Sequence, residues 1–119
     1  MEKCVIVYED DQEISTLCKR ILEKPGRRIE IKRLCDDVMA DIEQLKPHII
    51  LMDLWIPEMG GEKAVTIMKS NPATRNIPVI LFSANSELAK ISKKVNADGY
   101  LEKPFNISDL RTIIEENML

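Results

Sequence analysis

The sequence has no apolar stretch near the ~20 residues that a helix needs to cross a bilayer, and its continuous apolar runs reach only strand length. A membrane span is therefore not expected. Positive charge is not in excess either: 17 Lys and Arg stand against 20 Asp and Glu, for a net charge of −3. Without a basic face to neutralise phosphates, direct nucleic-acid binding is not expected. Cysteines number three, and Cys4, Cys18 and Cys35 lie too far apart for a CxxC zinc or redox pair, which fits a reducing cytoplasm. There is no internal repeat and no low-complexity tract. The opening Met1-Glu2-Lys3 enters an apolar run directly, without the pattern of a signal peptide.

What is present is ordinary for a globular protein. Hydrophobic residues make up 45% and charged residues 31% of 119 residues. A chain of this length fits one domain, residues 1–119, that buries roughly two-thirds of its unfolded surface. A stand-alone domain and a piece of a longer protein both fit the sequence.

Periodicity divides the chain into alternating strands and helices. Cys4 to Tyr8 is a continuous apolar run, the pattern of a strand covered on both faces, and it stops at Glu9-Asp10-Asp11. Ile14, Leu17, Cys18, Ile21 and Leu22 form a helical stripe that Pro25-Gly26 ends, with Asp11 as its N-cap. Ile29 and Ile31 mark a short strand, Val38 to Leu45 a helix, and residues 48–52 a buried strand that ends at Asp53. Ala64 to Met68 suggests a third helix, residues 77–82 a fourth strand, and Leu88, Ile91 and Val95 a short fourth helix. Tyr100 to Glu102 reads as the fifth strand and Asp109 to Met118 as the last helix, with Ser108 as its cap. Five β-α units with helical crossovers predict an α/β fold with a parallel sheet and helices on both faces.

In such a sheet, functional residues collect at the carboxyl ends of the strands. The first strand ends in Glu9 and Asp10, the third in Asp53 and the fourth in Ser83, and the fifth runs into Lys103. Three carboxylates at one rim repel one another unless a cation neutralises them, and a few carboxylates with water are how Mg2+ is usually held. Such an ion also shields an incoming phosphoryl charge, and carboxylates do form acyl phosphates. Lys103 adds a counter-charge, and Ser83 a hydrogen-bond donor.

Four segments carry a family resemblance: residues 4–11 (CVIVYEDD), residues 53–61 (DLWIPEMGG), residues 79–84 (VILFSA) and residues 98–105 (DGYLEKPF). In this order they resemble the signature blocks of CheY-like response-regulator receiver domains, over nearly the whole chain. The resemblance implies a doubly wound, flavodoxin-like (βα)5 fold with strand order 2-1-3-4-5. It implies that Asp53 is the phosphoacceptor, and that Glu9, Asp10, Asp53 and the Trp55 carbonyl hold Mg2+, with Mn2+ as an alternative ion. Lys103 would pair with the phosphoryl group, Ser83 would be the switch hydroxyl and Tyr100 the aromatic that turns with it. Pro57 and Gly61 would shape the loop below Asp53, and the Lys103-Pro104 bond would be cis. Implied partners are a sensor histidine kinase or histidine phosphotransfer protein, and a downstream target or fused output domain. The implied role is signalling rather than metabolic, with Mg2+-dependent self-phosphorylation and autodephosphorylation.

Other readings of the same residues fit less well. A degenerate receiver acting as a constitutive interaction module fits poorly, because every expected position carries a competent group. A haloacid-dehalogenase-type hydrolase needs a second Asp where Trp55 stands, and a flavodoxin-type flavin carrier needs a phosphate cradle where Glu9-Asp10-Asp11 would repel one. His48 precedes the third strand at the end opposite Asp53, which predicts a solvent-facing structural role. Cys4 and Cys18 fall on core stripes. Asn96 stands where a glycine is usual, and Asn tolerates the left-handed region. Lys90, Lys93 and Lys94 read as a solvated face.

Overall fold

The three most continuous apolar runs lie side by side at the centre of the molecule. A computed structural model describes residues 2–118. Along it alternate β1 (Lys3–Tyr8), α1 (Gln12–Leu22), β2 (Arg27–Lys32), α2 (Val38–Leu45), β3 (Ile49–Asp53), α3 (Gly61–Lys69), β4 (Val79–Ser83), α4 (Leu88–Lys94), β5 (Gly99–Glu102) and α5 (Ile107–Asn117). All strand pairs are parallel, in the order β2-β1-β3-β4-β5. The predicted doubly wound α/β architecture and its strand order are therefore observed.

Side chains alternate across a strand, so each central strand feeds two cores. Ile6, Tyr8, Met52 and Leu81 pack with Val38, Val65 and Met68 beneath α2, α3 and α4. Val7, Leu51, Ile80 and Phe82 pack with Cys18, Leu22 and Leu110 beneath α1 and α5. Every residue of β3 and β4 is buried, which is why these strands read as unbroken apolar runs. The three cysteines are free and buried and behave as small hydrophobes. Among the described residues, no helix is long and apolar enough to cross a membrane.

Local chemistry sets the ends of the elements. Asp11 caps α1 as expected, its carboxylate accepting the Ile14 N–H at 3.0 Å. The last helix is capped by Asn106 and not by Ser108: the Asn106 amide oxygen accepts the Asp109 N–H at 2.7 Å, so the helix starts earlier and Ser108 falls within its first turn. Strand β4 starts at Val79 rather than Ile77, because Pro78 has no N–H to give a ladder. Asn96 adopts φ +62°, in the left-handed region. His48 is half-buried, and its Nδ1 accepts the Cys4 N–H at 3.0 Å, so it has a structural role while staying partly open to solvent.

Candidate functional site

Because the strands are parallel, all their carboxyl ends share one rim, and β1 and β3 flank the point where the connections turn in opposite directions. One carboxylate oxygen each from Glu9, Asp10 and Asp53 meet there within 4.8 Å of one another. Glu9 and Asp53 are buried, at 1% and 4% exposure, and Asp10 is exposed. The Lys103 ammonium sits between the two buried acids, 2.6 Å from Glu9 Oε1 and 3.6 Å from Asp53 Oδ2. Each acid also has a backbone donor. Glu9 Oε2 accepts the Asp11 N–H at 3.0 Å, and Asp53 Oδ1 accepts the Trp55 N–H at 3.1 Å.

Burial pushes the Glu9 carboxyl above its ordinary value, and the nearby Asp53 charge adds to this against the opposing pull of Lys103 and the Asp11 N–H. Two buried acids and one exposed acid share a single ammonium. The rim is therefore over-supplied with negative oxygen and is suited to a hard cation.

The other predicted residues fall around this centre. Ser83, buried at the end of β4, accepts the Asn85 N–H at 3.1 Å, which leaves its hydroxyl hydrogen as a donor. Trp55 projects outward, its side chain among the most exposed of the large hydrophobics at 68%. Tyr100 is also exposed, on β5, and is not part of the acidic cluster. Pro57 is half-buried in the loop after Asp53, where its carbonyl accepts the Cys35 N–H at 3.1 Å. Gly61 lies against that loop: a Cβ there would stand 2.5 Å from the Asp53 carbonyl oxygen, a separation no side chain tolerates. The Lys103-Pro104 peptide is cis.

Phe82 was not among the predicted site residues. Its ring lies 4.4 Å beneath the Lys103 ammonium and 6.4 Å from the Phe105 ring, so it supports the lysine from the apolar side. The signal was available in the sequence, since Phe82 directly precedes Ser83 and must point to the opposite face.

Known proteins share this fold and much of this sequence pattern. Residues 5–115 match the model of the response regulator receiver domain. The chain is 29% identical over 116 residues to Protein PilG of Pseudomonas aeruginosa, covering 96% of this chain and 86% of that protein. It is 32% identical over 109 residues to the KDP operon transcriptional regulatory protein KdpE of Escherichia coli, covering 90% of this chain but only 47% of KdpE. Among solved structures it superposes on the receiver domain of sensor histidine kinase PA1611 of Pseudomonas aeruginosa, described with a magnesium ion coordinated in its active site cleft. The TM-score is 0.86 at 22% identity, covering 99% and 98% of the two chains. That structural likeness speaks to the fold, while the sequence match spans both the sheet and its acidic rim. On that match, the chain belongs to the family of response regulator receiver domains of two-component systems.

Proposed function

We propose that this chain accepts a phosphoryl group on the carboxylate of Asp53, with Mg2+ (or Mn2+) held by Glu9, Asp10, Asp53 and the main-chain carbonyl of Trp55. The observation that carries this reading is the charge imbalance of the rim: three carboxylates within 4.8 Å and one ammonium, drawn from the ends of β1, β3 and β5. The donors are all oxygen, as a hard divalent ion prefers. When bound, the ion would offset the carboxylate charge and polarise the phosphoryl oxygens.

The side chains divide the remaining work. Asp53 attacks phosphorus through a carboxylate oxygen; a phosphorus–oxygen bond forms as the donor's phosphorus–nitrogen bond breaks, and the released imidazole takes up a proton. Lys103 lies near enough to Asp53 to pair with the added charge, and Phe82 keeps its ammonium at the rim. Ser83 offers its hydroxyl hydrogen to a phosphoryl oxygen. Its movement toward that group draws Tyr100 inward from its exposed position, and the face of α4, β5 and α5 repacks. Pro57 and Gly61 hold the Asp53 loop close to the strand, and Pro104 fixes the chain just beyond Lys103.

The phosphoryl donor is a sensor histidine kinase or a histidine phosphotransfer protein, and the readout is a downstream target or a fused output domain. KdpE, about twice as long as this chain's match to it, is consistent with the latter arrangement. The domain would be a cytoplasmic signalling element that phosphorylates and dephosphorylates itself with Mg2+. Three free buried cysteines fit a reducing compartment.

Incubation with Mg2+ and acetyl phosphate, followed by intact-mass measurement, tests this directly. One phosphoryl group is expected on the unaltered protein and none on Asp53→Asn. Absence of the adduct, or its persistence in Asp53→Asn, overturns the proposal.

A further inference from the structure

Tyr8 is the last residue of β1 and immediately precedes Glu9. Its side chain is wholly buried in the core beneath α2, α3 and α4, on the far face of the strand from Glu9. The hydroxyl donates to Asp41 Oδ2 at 2.7 Å, and Asp41 stands in the first turn of α2 with its other oxygen 3.5 Å from Lys32 Nζ. Burial, reinforced by the bond to Asp41, pushes the hydroxyl far above the ordinary tyrosine value, so it is a donor throughout the physiological range. The main chain closes the same knot, with the Glu9 N–H donating to the Lys32 carbonyl at 2.9 Å.

From α2 the connection reaches the other half of the site. Cys35, just before α2 and in the same core as Tyr8, makes two main-chain bonds to the loop after Asp53. Its N–H donates to the Pro57 carbonyl at 3.1 Å, and its carbonyl accepts the Met59 N–H at 2.8 Å. Between them Glu58 is held at φ +78°, a backbone conformation that a non-glycine residue adopts only when its surroundings impose it. This loop carries Trp55, whose N–H meets Asp53 Oδ1. One buried hydroxyl is thus tied at one end to the strand that presents Glu9 and Asp10, and at the other to the helix whose leading segment clamps the loop of Trp55.

We propose that the Tyr8–Asp41 hydrogen bond is a positioning device for the cation site, fixing the Glu9–Asp10 strand end relative to the Asp53–Trp55 loop. The proposal rests on the phosphoacceptor reading above. Successive strand residues point to opposite faces, so a Tyr8 ring anchored at its tip cannot roll, and the Glu9 carboxylate cannot roll with it. Outer partners that orient ligands act in this way at many metal sites.

Isothermal titration with Mg2+ alone tests the device in the full chain, beside thermal unfolding and acetyl phosphate labelling across Mg2+ concentrations. Tyr8→Phe and Asp41→Ala should each weaken Mg2+ binding by about tenfold, the low end for residues one step removed from a metal. The double variant should be no weaker than either single one, since both remove the same bond. Asp41→Asn keeps an oxygen for the tyrosine and should stay within about twofold of the unaltered protein. At saturating Mg2+ the labelling rate of Tyr8→Phe should recover, a shift in concentration dependence rather than in maximal rate. Unchanged Mg2+ affinity in both Tyr8→Phe and Asp41→Ala, alongside a lowered unfolding temperature, would show a purely structural bond and overturn the inference. If Tyr8→Phe does not fold, the contrast of Asp41→Ala with Asp41→Asn decides. Failure of the unaltered protein to bind Mg2+ would overturn the phosphoacceptor reading itself, and this inference with it.

Discussion

Glu9 and Glu115 are the same residue type at opposite ends of one sheet, and their surroundings drive them in opposite directions. Glu115, near the end of α5, accepts from Arg27 at 2.7 Å and Lys24 at 3.3 Å, and these cations hold its carboxyl below the ordinary value. Glu9 is buried beside two other acids with one ammonium among them, and its carboxyl is pushed up. The contrast extends to the lysines. Lys69, at the amino-end rim, donates to the carbonyls of Arg75 and Ile77 and to Asp98, all within 2.9 Å, and Asp98 also accepts the Val79 N–H. At that end Glu115, Lys69 and Asp98 each meet opposite charge; at the other, three carboxylates share one ammonium. Balanced charge closes a structure, and unbalanced charge leaves work for an incoming ion or group.

Exchanging the lysines is the sharpest way to break this contrast. Lys103→Met should lower phosphoryl acceptance from acetyl phosphate by about 100-fold, in the range for losing a charge that stabilises a transferring group, while the protein still folds. Normal acceptance in this variant would place the working rim elsewhere. Lys69→Met should do the reverse: acceptance is retained, but urea unfolding should show a loss of about 2 kcal/mol, because two carbonyls and a carboxylate lose their donor. That figure is reduced for the partial exposure of Asp98. Equal loss of acceptance in both variants would erase the distinction between the rims.

The smallest expected effect is at Glu115. Its folded pKa is lowered, so its contribution to stability is present above the usual glutamate value of 4.5 and is lost as pH falls through the lowered folded value. The difference in unfolding temperature between the unaltered protein and Glu115→Gln should therefore be small and positive at about pH 6 and shrink toward zero by about pH 3. A difference that grows as pH falls would reverse the assignment.

The acidic rim was the more legible of the two. Glu9, Asp10, Asp53, Ser83 and Lys103 each stand at or just past the carboxyl end of a strand, and the parallel-sheet rule alone brings such positions to one edge. Contacts between distant segments could not be read this way at either rim. Lys69 and Asp98 are 29 residues apart, Tyr8 and Asp41 are 33 apart, and nothing local marks either pair as touching. Such contacts are fixed only when helices settle on the sheet. The cap of α5 was misplaced for a smaller reason: Asn106 and Ser108 are both good caps, and only the three-residue reach from Asn106 to the Asp109 N–H decides between them. The hydrogen bond of His48 was hidden for the same reason as the distant pairs: its partner, the Cys4 N–H, belongs to a neighbouring strand.

Trp55 is the single tryptophan of the chain, its side chain stands largely in solvent, and its main-chain N–H is bonded to the Asp53 carboxylate. Its ultraviolet emission therefore has one origin, two residues from the acid at the centre of the rim. No dye or added label is needed to follow that acid in solution, because the polypeptide carries its own lamp beside the proposed phosphoacceptor.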